Sequence, residues 1–354
     1  MTCGCNASSS RERTLTSRML DEARDAPNAV ARLLAADGDA YTALGADLRD
    51  RPPLSLLTVA RGSSDHAAQY MAYLIMARLG RLVTSLPMSL ITLYQSRLQC
   101  EGLVSLAFSQ SGQSPDLVLP TSFFRAGGAR TVAIVNDAAS PLAAAAQWVF
   151  PLHAGAEVSI AATKSCIAQL VAGARLVASW QDDAPLRTAL QGLPDALRRA
   201  AQQDWLDAIP PLTHTTRLFV ISRGLGLAIA MEAALKFKEV CGIQAEAFSG
   251  AEVRHGPMAL VDEGFPMLVF APRGPAQAGL LALADDMRRR GARVLLAAPA
   301  GTPGSELPLV AADAEDLDPI TAIQSFYPMV EALARARDVD PDEPRHLAKV
   351  TRTR

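Results

Sequence analysis

The sequence has few aromatic residues and almost no net charge. Phe, Trp and Tyr make up 5% of its 354 residues, and the formal net charge at pH 7 is −2. A protein that binds nucleic acid or an anionic membrane needs a basic surface, and one that stacks on bases needs aromatic rings. We therefore expect neither nucleic acid nor a membrane among the partners of this chain.

Long hydrophobic runs and regularly spaced cysteines are also missing. No segment has the roughly 20 apolar residues that span a bilayer, and the polar amino terminus lacks the apolar centre of an export signal. The cysteines are odd in number and irregularly spaced, at Cys3, Cys5, Cys100, Cys166 and Cys241. Because this usage is typical of a reducing compartment, we expect a cytoplasmic protein. Cys3 and Cys5 alone cannot complete a four-ligand metal site, so no metal is expected.

The apolar residues, which are 49% of the chain, fall into a repeating pattern. Short runs rich in Val, Leu and Ile predict strands at 54–60, 103–108, 131–135, 148–152, 218–221, 267–271, 294–298 and 307–311. Helical spacing predicts helices at 65–79, 115–127, 164–180, 225–241 and 277–290. Apolar strands that alternate with helices form parallel sheets with both faces covered. The predicted fold class is therefore α/β, with doubly wound parallel sheets.

Two landmarks recur after almost the same interval, which indicates a duplicated domain. Arg61-Gly62 and Arg223-Gly224 follow corresponding strands, and Gly128-Ala129-Arg130 and Gly291-Ala292-Arg293 precede corresponding strands. The predicted organisation is a disordered tail and amino-terminal helices at 1–50, a first domain at 51–185, a second at 205–340 and a carboxyl-terminal tail at 341–354. Residues 1–14 form the predicted tail, and the two helices within 15–48 are expected to be interrupted at Pro27.

The strand predicted at 103–108 is followed by a turn of small polar residues, Ser109-Gln110-Ser111-Gly112-Gln113-Ser114. Ligands bind outside the carboxyl ends of parallel strands, and a helix that begins near Ser114 would favour an anion there. The turn has no lysine, so it is not a nucleotide P-loop. It suits a phosphate ester on a small molecule; the alternative is a capped turn without a ligand. The corresponding turn of the second half, 272–275, has no serine.

The helix predicted at 225–241 is apolar nearly all round, yet it carries Glu232, Lys236 and Glu239 on one face. Two carboxylates around an ammonium are costly to place on a buried helix, and such clusters are candidates for function. The alternative is a salt-bridged stripe at a surface or at a domain interface.

Two further candidates lie outside that helix. His255 precedes Gly256-Pro257, so it is expected in a turn, and histidine transfers protons near neutral pH. Lys349 belongs to a basic tail and could supply charge, or an amine for carbonyl chemistry, if the tail folds back over the site. The alternatives are an ordinary surface or core histidine and a solvated lysine.

Together these motifs resemble the tandem sugar isomerase (SIS) domain family, from about residue 18 to the carboxyl terminus. The residues that carry the resemblance are Ser109-Gln110-Ser111-Gly112, Ala161-Ala162-Thr163-Lys164, the 232–239 helix, His255-Gly256-Pro257 and the segment that ends at Lys349. The resemblance implies two flavodoxin-like SIS domains and no cofactor. It is strongest to the isomerase half of glucosamine-6-phosphate synthase.

By this resemblance the partner is a phosphorylated amino sugar whose phosphate binds the first half. The implied substrate-binding residues are Gly62, Ser63, Ser64, Ser109, Gln110, Ser111, Ser114, Ala161, Ala162 and Thr163. The chain departs from the synthase at Arg61, where the synthase has a cysteine, and at Ala162, which replaces a serine and weakens one sugar contact.

The resemblance also implies catalytic roles. Glu239 matches the base that moves a proton between sugar carbons 1 and 2, Lys236 the group that stabilises the oxyanion, and Glu232 the acid that orients them. His255 matches a ring-opening histidine, which the family supplies across a homodimer interface. Lys349 matches the tail lysine that can form an imine with the open-chain ketose.

The sequence has no room for the synthase's glutaminase domain, and residues 60–66 resemble the second type of glucosamine-6-phosphate deaminase. We therefore predict deamination with isomerisation, in which D-glucosamine 6-phosphate and water give D-fructose 6-phosphate and ammonia. Two alternatives stay open. One is an aldose–ketose isomerase or deglycase of another 6-phosphosugar, and the other is a non-catalytic phosphosugar sensor.

Overall fold

The structure, a computed structural model, describes residues 16–349. The expectations for the 1–14 tail, for Cys3 and Cys5 and for the end of the 341–354 tail lie outside the described residues. The first sheet consists of β1 (Ser55–Val59), β2 (Val83–Ser85), β3 (Leu103–Ser109), β4 (Arg130–Val135) and β5 (Trp148–Pro151). All its pairings are parallel, in the order β2-β1-β3-β4-β5.

The second sheet repeats this topology. It consists of β6 (Arg217–Ser222), β7 (Gln244–Ser249), β8 (Pro266–Phe270), β9 (Arg293–Pro299) and β10 (Leu307–Leu309). Its order is β10-β9-β8-β6-β7, which repeats the first sheet strand for strand. This is the order of flavodoxin-like doubly wound folds, so the predicted duplicated α/β fold is confirmed.

Helices cover both sheets. They are α1 (Arg18–Ala35), α2 (Gly38–Asp50), α3 (Ser63–Leu79), α4 (Ser89–Thr92), α5 (Pro115–Ala126), α6 (Pro141–Ala145), α7 (Lys164–Gln181), α8 (Ala184–Ala200), α9 (Ile209–Leu212), α10 (Gly226–Cys241), α11 (Gln277–Arg289) and α12 (Asp318–Ala336). Helix α7 is buried along nearly its whole length, against α1, α2 and α3. Within residues 16–349, none of the helices combines the length and the apolar character needed to cross a membrane.

The predicted helix break at Pro27 is wrong. Helix α1 runs through this residue, and the break falls at Ala36 and Asp37, the latter with a left-handed φ of 55°. Proline lacks the N–H that would bind the carbonyl four residues earlier. That carbonyl, of Ala23, instead accepts a hydrogen bond of 3.0 Å from Gln324 Nε2 on α12. A side chain from the second half thus replaces the donor that proline removes.

Strands β2 and β7 and the long helix α12 are among the elements that have no counterpart in the prediction. Strands β2 and β7 lie at sheet edges and are largely not buried, so they lack a continuous apolar run. Helix α12 is nearly all buried and has Pro328 in its interior, a residue that ordinarily ends a predicted helix. It packs against α10 and α8 and closes the core on the side of the second half.

Gly45 lets α2 and α7 meet backbone to backbone. A Cβ at this position would lie 2.7 Å from the carbonyl carbon of Ser179 and 3.0 Å from the nitrogen of Trp180. Both atoms belong to the α7 backbone, so neither can rotate away. Glycine is required here by close approach rather than by its backbone angles.

We expect Gly45→Ala to lower the free energy of unfolding by about 1–3 kcal/mol, because the strain of overpacking exceeds the ~1 kcal/mol that alanine gains over glycine in a helix. The matched control is Gly279→Ala in α11, where a Cβ would meet no heavy atom within 4 Å. That variant should gain about 0.5–1 kcal/mol. Urea unfolding measures both, and an unchanged or raised stability of Gly45→Ala would contradict the close approach.

Candidate functional site

A cavity of about 310 Å³ opens at the carboxyl ends of β1 and β3. Its lining residues are Arg61, Gly62, Ser64, Phe108, Ser109, Gln110, Ser111, Ser114, Leu117 and Lys349. Helices α3 and α5 begin beside it, and helix amino termini favour anions. The structure therefore gathers in one cavity most of the residues expected to bind phosphate.

Three serine hydroxyls of this cavity already serve as hydrogen-bond acceptors. The donors are Gln169 Nε2 to Ser64 Oγ at 3.0 Å, the Gly112 N–H to Ser109 Oγ at 2.9 Å and the Gln113 N–H to Ser111 Oγ at 3.3 Å. A hydroxyl that accepts in this way keeps its own proton to donate. The three O–H groups therefore suit an anion.

Four residues expected to bind substrate do not line the cavity. Ala161, Ala162 and Thr163 lie in the segment before α7, where the Thr163 N–H donates to Glu157 Oε1 at 3.0 Å. Ser63 begins α3, and its hydroxyl bonds to side chains of α10. Thr163 is therefore placed beside Glu157, and Ser63 belongs to a second cluster.

Helix α10 buries the cluster that the sequence singled out. Lys236 Nζ lies 3.2 Å from Glu232 Oε1 and 2.6 Å from Glu239 Oε2. The side chains of Lys236 and Glu232 are 0% and 1% exposed, whereas that of Glu239 is 20% exposed. Glu239 is therefore the member of the cluster that a ligand can reach.

Glu232 has further partners from distant parts of the chain. Ser63 Oγ donates to its Oε1 at 3.0 Å and accepts from Lys236 Nζ at 3.0 Å. His66 Nδ1 lies 2.8 Å from its Oε2, and the Tyr327 hydroxyl donates to its Oε1 at 3.2 Å. Sequence reasoning assigned no role to His66 or Tyr327. His66 could have been found from the sequence, because it lies one helical turn after Ser63. No local pattern pointed to Tyr327.

These contacts set the charge of the cluster. Burial alone would raise the pKa of Glu232, but the Lys236 ammonium and hydrogen bonds from His66 and Ser63 lower it to about 2. Burial would lower the pKa of Lys236, but the carboxylates of Glu232 and Glu239 raise it above its ordinary value. Lys236 and Glu232 are therefore both charged at neutral pH.

The cavity and the α10 cluster meet at the first turn of α3. Ser64 lines the cavity, while its neighbour Ser63 bonds to both Glu232 and Lys236. Lys236 Nζ in turn lies 2.6 Å from Glu239 Oε2. The hydroxyl-lined cavity of the first half is thus connected to Glu239 through Ser63 and Lys236, while Glu239 itself lines a separate cavity together with Lys238 and Arg337.

The carboxyl-terminal segment folds back over the cavity. Asp342 accepts hydrogen bonds of 2.8 and 2.9 Å from the first two N–H groups of α1, a favourable place for a carboxylate. Lys349 then lines the cavity, and its Nζ donates to the Ser159 carbonyl at 2.5 Å and to Glu157 Oε2 at 3.3 Å. The tail thus folds back over the cavity, as a functional role of Lys349 would require.

His255 stands apart from the α10 cluster within this chain. It follows a short 3-10 turn, as expected, and Gly256 after it has a φ of 133°. Its side chain is exposed and has no hydrogen-bond or ion-pair partner among residues 16–349. The same part of the chain contains no group of three or more His, Cys, Asp or Glu placed to hold a metal ion.

The corresponding turn of the second half is bound by the chain's own groups. After β8, the guanidinium of Arg273 donates from Nε to Asp318 Oδ2 at 2.7 Å and from Nη2 to Asp318 Oδ1 at 2.8 Å. Nη2 also donates to the Ala312 carbonyl. The second half therefore pairs its strand-end cation internally and offers no serine hydroxyls there.

Comparison with known proteins points to one family. The SIS domain matches at residues 51–179 and 212–308. The isomerizing glutamine–fructose-6-phosphate aminotransferase of Aeropyrum pernix is 36% identical over 313 residues, which cover 83% of this chain and 50% of that protein. The enzyme of the same name from Methanothermobacter thermautotrophicus is 34% identical over 316 residues, 82% of this chain and 50% of that protein. The chain thus spans about half the length of the curated relatives it matches.

Solved structures agree. A candidate phosphosugar isomerase from Silicibacter pomeroyi superimposes with a TM-score of 0.87 and 43% identity, over 92% of this chain and all of the other. The carboxyl-terminal domain of glucosamine-fructose-6-phosphate aminotransferase from Francisella tularensis gives 0.81 at 22% identity, over 95% of this chain and 100% of that one. Glucosamine-6-phosphate deaminase from Thermotoga maritima gives 0.76 at 20% identity, with the same coverage. The last two show the fold alone.

Removing the buried ammonium should destabilise the fold. Lys236→Met leaves Glu232 buried without its cation, and breaking a buried pair in this way costs about 3–5 kcal/mol. Lys238, on the same helix, is exposed, so Lys238→Met is the matched control and should stay within about 0.5 kcal/mol of the parent. Urea unfolding at neutral pH measures the difference; equal stabilities of the two variants would contradict the buried pair.

Proposed function

The chain belongs to the SIS domain family, and we propose that it is an enzyme that moves a proton between carbons 1 and 2 of a hexose 6-phosphate. Its similarity to isomerizing aminotransferases and to a candidate phosphosugar isomerase supports this class of reaction. The specific reaction that we propose is deamination of glucosamine 6-phosphate with isomerisation, which gives fructose 6-phosphate and ammonia.

The observation that carries the proposal is the short path from the cavity to Glu239. A phosphate held by the hydroxyls of the cavity lies next to Ser63, and Ser63 and Glu239 are each one hydrogen bond from Lys236 Nζ, at 3.0 and 2.6 Å. We propose that the six-carbon chain of the anchored phosphosugar extends from the cavity towards Glu239, the exposed member of the cluster. The anchor then holds carbons 1 and 2 at the carboxylate, and such positioning lowers the barrier of the proton transfer.

In the proposed mechanism Glu239 takes the proton from carbon 2 of the open-chain amino sugar. Lys236, buried 2.6 Å from Glu239, stabilises by its positive charge the oxyanion that develops on oxygen 1. Glu239 then returns the proton to carbon 1, which leaves an imine at carbon 2. Water adds to that carbon, and ammonia departs with the electron pair of the broken carbon–nitrogen bond. The carbon-1 carbonyl accepts the electron pair that the carbon-2 proton leaves behind, and the imine forms only afterwards, so the scheme uses no cofactor.

Two residues act from outside the α10 cluster in this scheme. Lys349, held by Ser159 and Glu157, supplies positive charge at the cavity. Following the resemblance to the SIS family, we assign ring opening to His255 of a second copy in a homodimer. The exposed side chain, which has no partner among the described residues of its own chain, is compatible with this assignment.

The second candidate is an aldose–ketose isomerase of another 6-phosphosugar, which the 43% identity to a candidate phosphosugar isomerase favours. It would use the same proton shuttle but release no ammonia. Incubation of the protein with glucosamine 6-phosphate separates the two. Fructose 6-phosphate with equimolar ammonia supports the deaminase, a new sugar phosphate without ammonia supports the isomerase, and binding without conversion would refute an enzyme acting on this sugar.

Glu239→Gln should abolish conversion, with a loss of kcat on the order of 10²–10⁴-fold, because the amide cannot accept the carbon-2 proton. Binding of the phosphosugar should persist, since the cavity is unchanged. The matched control is Glu246→Gln on β7, an exposed carboxylate outside the site, which should turn over normally. Conversion by Glu239→Gln at the parent rate would refute the assigned base.

Mixing two inactive variants tests the shared site. In a heterodimer of Glu239→Gln and His255→Ala, one site has both defects and the other has neither, so random exchange should restore about a quarter of the parent activity. Ammonia release from the refolded mixture measures the recovery. No recovery, although the mixed dimer forms, would place His255 in the site of its own chain or outside the reaction.

A further inference from the structure

Two cations line the cavity, and they differ in how they are held. The side chain of Lys349 is 25% exposed, and its Nζ is bonded to the Ser159 carbonyl and Glu157. The side chain of Arg61 is 59% exposed, and its Nη2 lies 3.5 Å from Asp116 Oδ2, at the outer limit of a hydrogen bond. A guanidinium has five N–H donors, so Arg61 has donors to spare.

The carboxylate that holds Arg61 is hidden from the cavity. The side chain of Asp116 is only 8% exposed, it lies in the first turn of α5, and it is not among the lining residues. An incoming anion therefore meets the guanidinium and not the carboxylate behind it. The pair orients a positive group at the rim without presenting a negative one.

We propose that Arg61 determines specificity for a doubly charged phosphate monoester. Its planar fork can donate to two oxygens of one phosphate, while the hydroxyls of Ser64, Ser109 and Ser111 donate to the others. Hydroxyls discriminate little between one and two negative charges, whereas the attraction of a cation scales with the charge of its ligand. The inference rests on the proposed function in that the ligand is a 6-phosphosugar.

Calorimetric titration with glucosamine 6-phosphate and with glucosamine 6-sulfate tests this selection. The two esters are alike in shape, but near pH 7.5 the phosphate carries about two charges and the sulfate one. Arg61→Met should weaken binding of the phosphate by about tenfold or more, as expected for a charged hydrogen bond. It should weaken binding of the sulfate less, and Arg61→Lys should keep part of the preference.

Arg293→Met is the matched control, because Arg293 is exposed at the amino-terminal end of β9 in the second sheet and loses the same charge. It should bind both esters as the parent does. In turnover, Arg61→Met should raise KM and leave kcat nearly unchanged, since the phosphate is bound equally in the ground and transition states.

The outcomes separate the two proposals. If the parent prefers the phosphate and Arg61→Met keeps the same preference, the role of Arg61 is overturned and the proposed function stands. If the preference falls in Arg61→Met but the parent releases neither ammonia nor a new sugar phosphate, the proposed function is overturned and the role of Arg61 stands. A fall in kcat at constant KM would also contradict Arg61 as a binding residue.

Discussion

The arrangement of the two halves depends on one buried ammonium. Removing a charge from water costs several kcal/mol, and Lys236 is fully buried, so its partners must be held in place. Glu232 and Glu239 come from the same helix, but Ser63 comes from the first half, and Tyr327 supports Glu232 from α12. Satisfying Lys236 thus fixes the first turn of α3 against α10, and with it the position of the cavity.

Other contacts across the halves are also polar and directional. Arg78 on α3 bonds to Asp316 before α12, and Gln324 on α12 supplies the donor that Pro27 removes from α1. Hydrophobic burial is non-directional and gives cohesion, whereas these bonds require particular angles and distances. They explain how two sheets that share one large hydrophobic core also keep one orientation, which a site composed of both halves would need.

Local patterns in the sequence were enough for most of the fold and for part of the site. Apolar runs predicted the central strands, and spacing along one helix predicted that Glu232, Lys236 and Glu239 share a face. Partners from other elements left no such pattern, since Tyr327 meets Glu232 across 95 residues of chain. The edge strands β2 and β7 were missed because they are partly exposed and lack a continuous apolar run. The break predicted at Pro27 was wrong because the compensating donor, Gln324, lies far along the sequence.

The bidentate pair of Arg273 and Asp318 marks a difference between the two duplicated halves of the chain. A duplicated domain begins with two equivalent turns at its strand ends. In this chain the turn of the first half has serine hydroxyls that can donate to a ligand, whereas the turn of the second half is occupied by the guanidinium of Arg273. Under the proposed function, the first half binds the ligand at its strand ends and the second half does not, so we expect one ligand per chain.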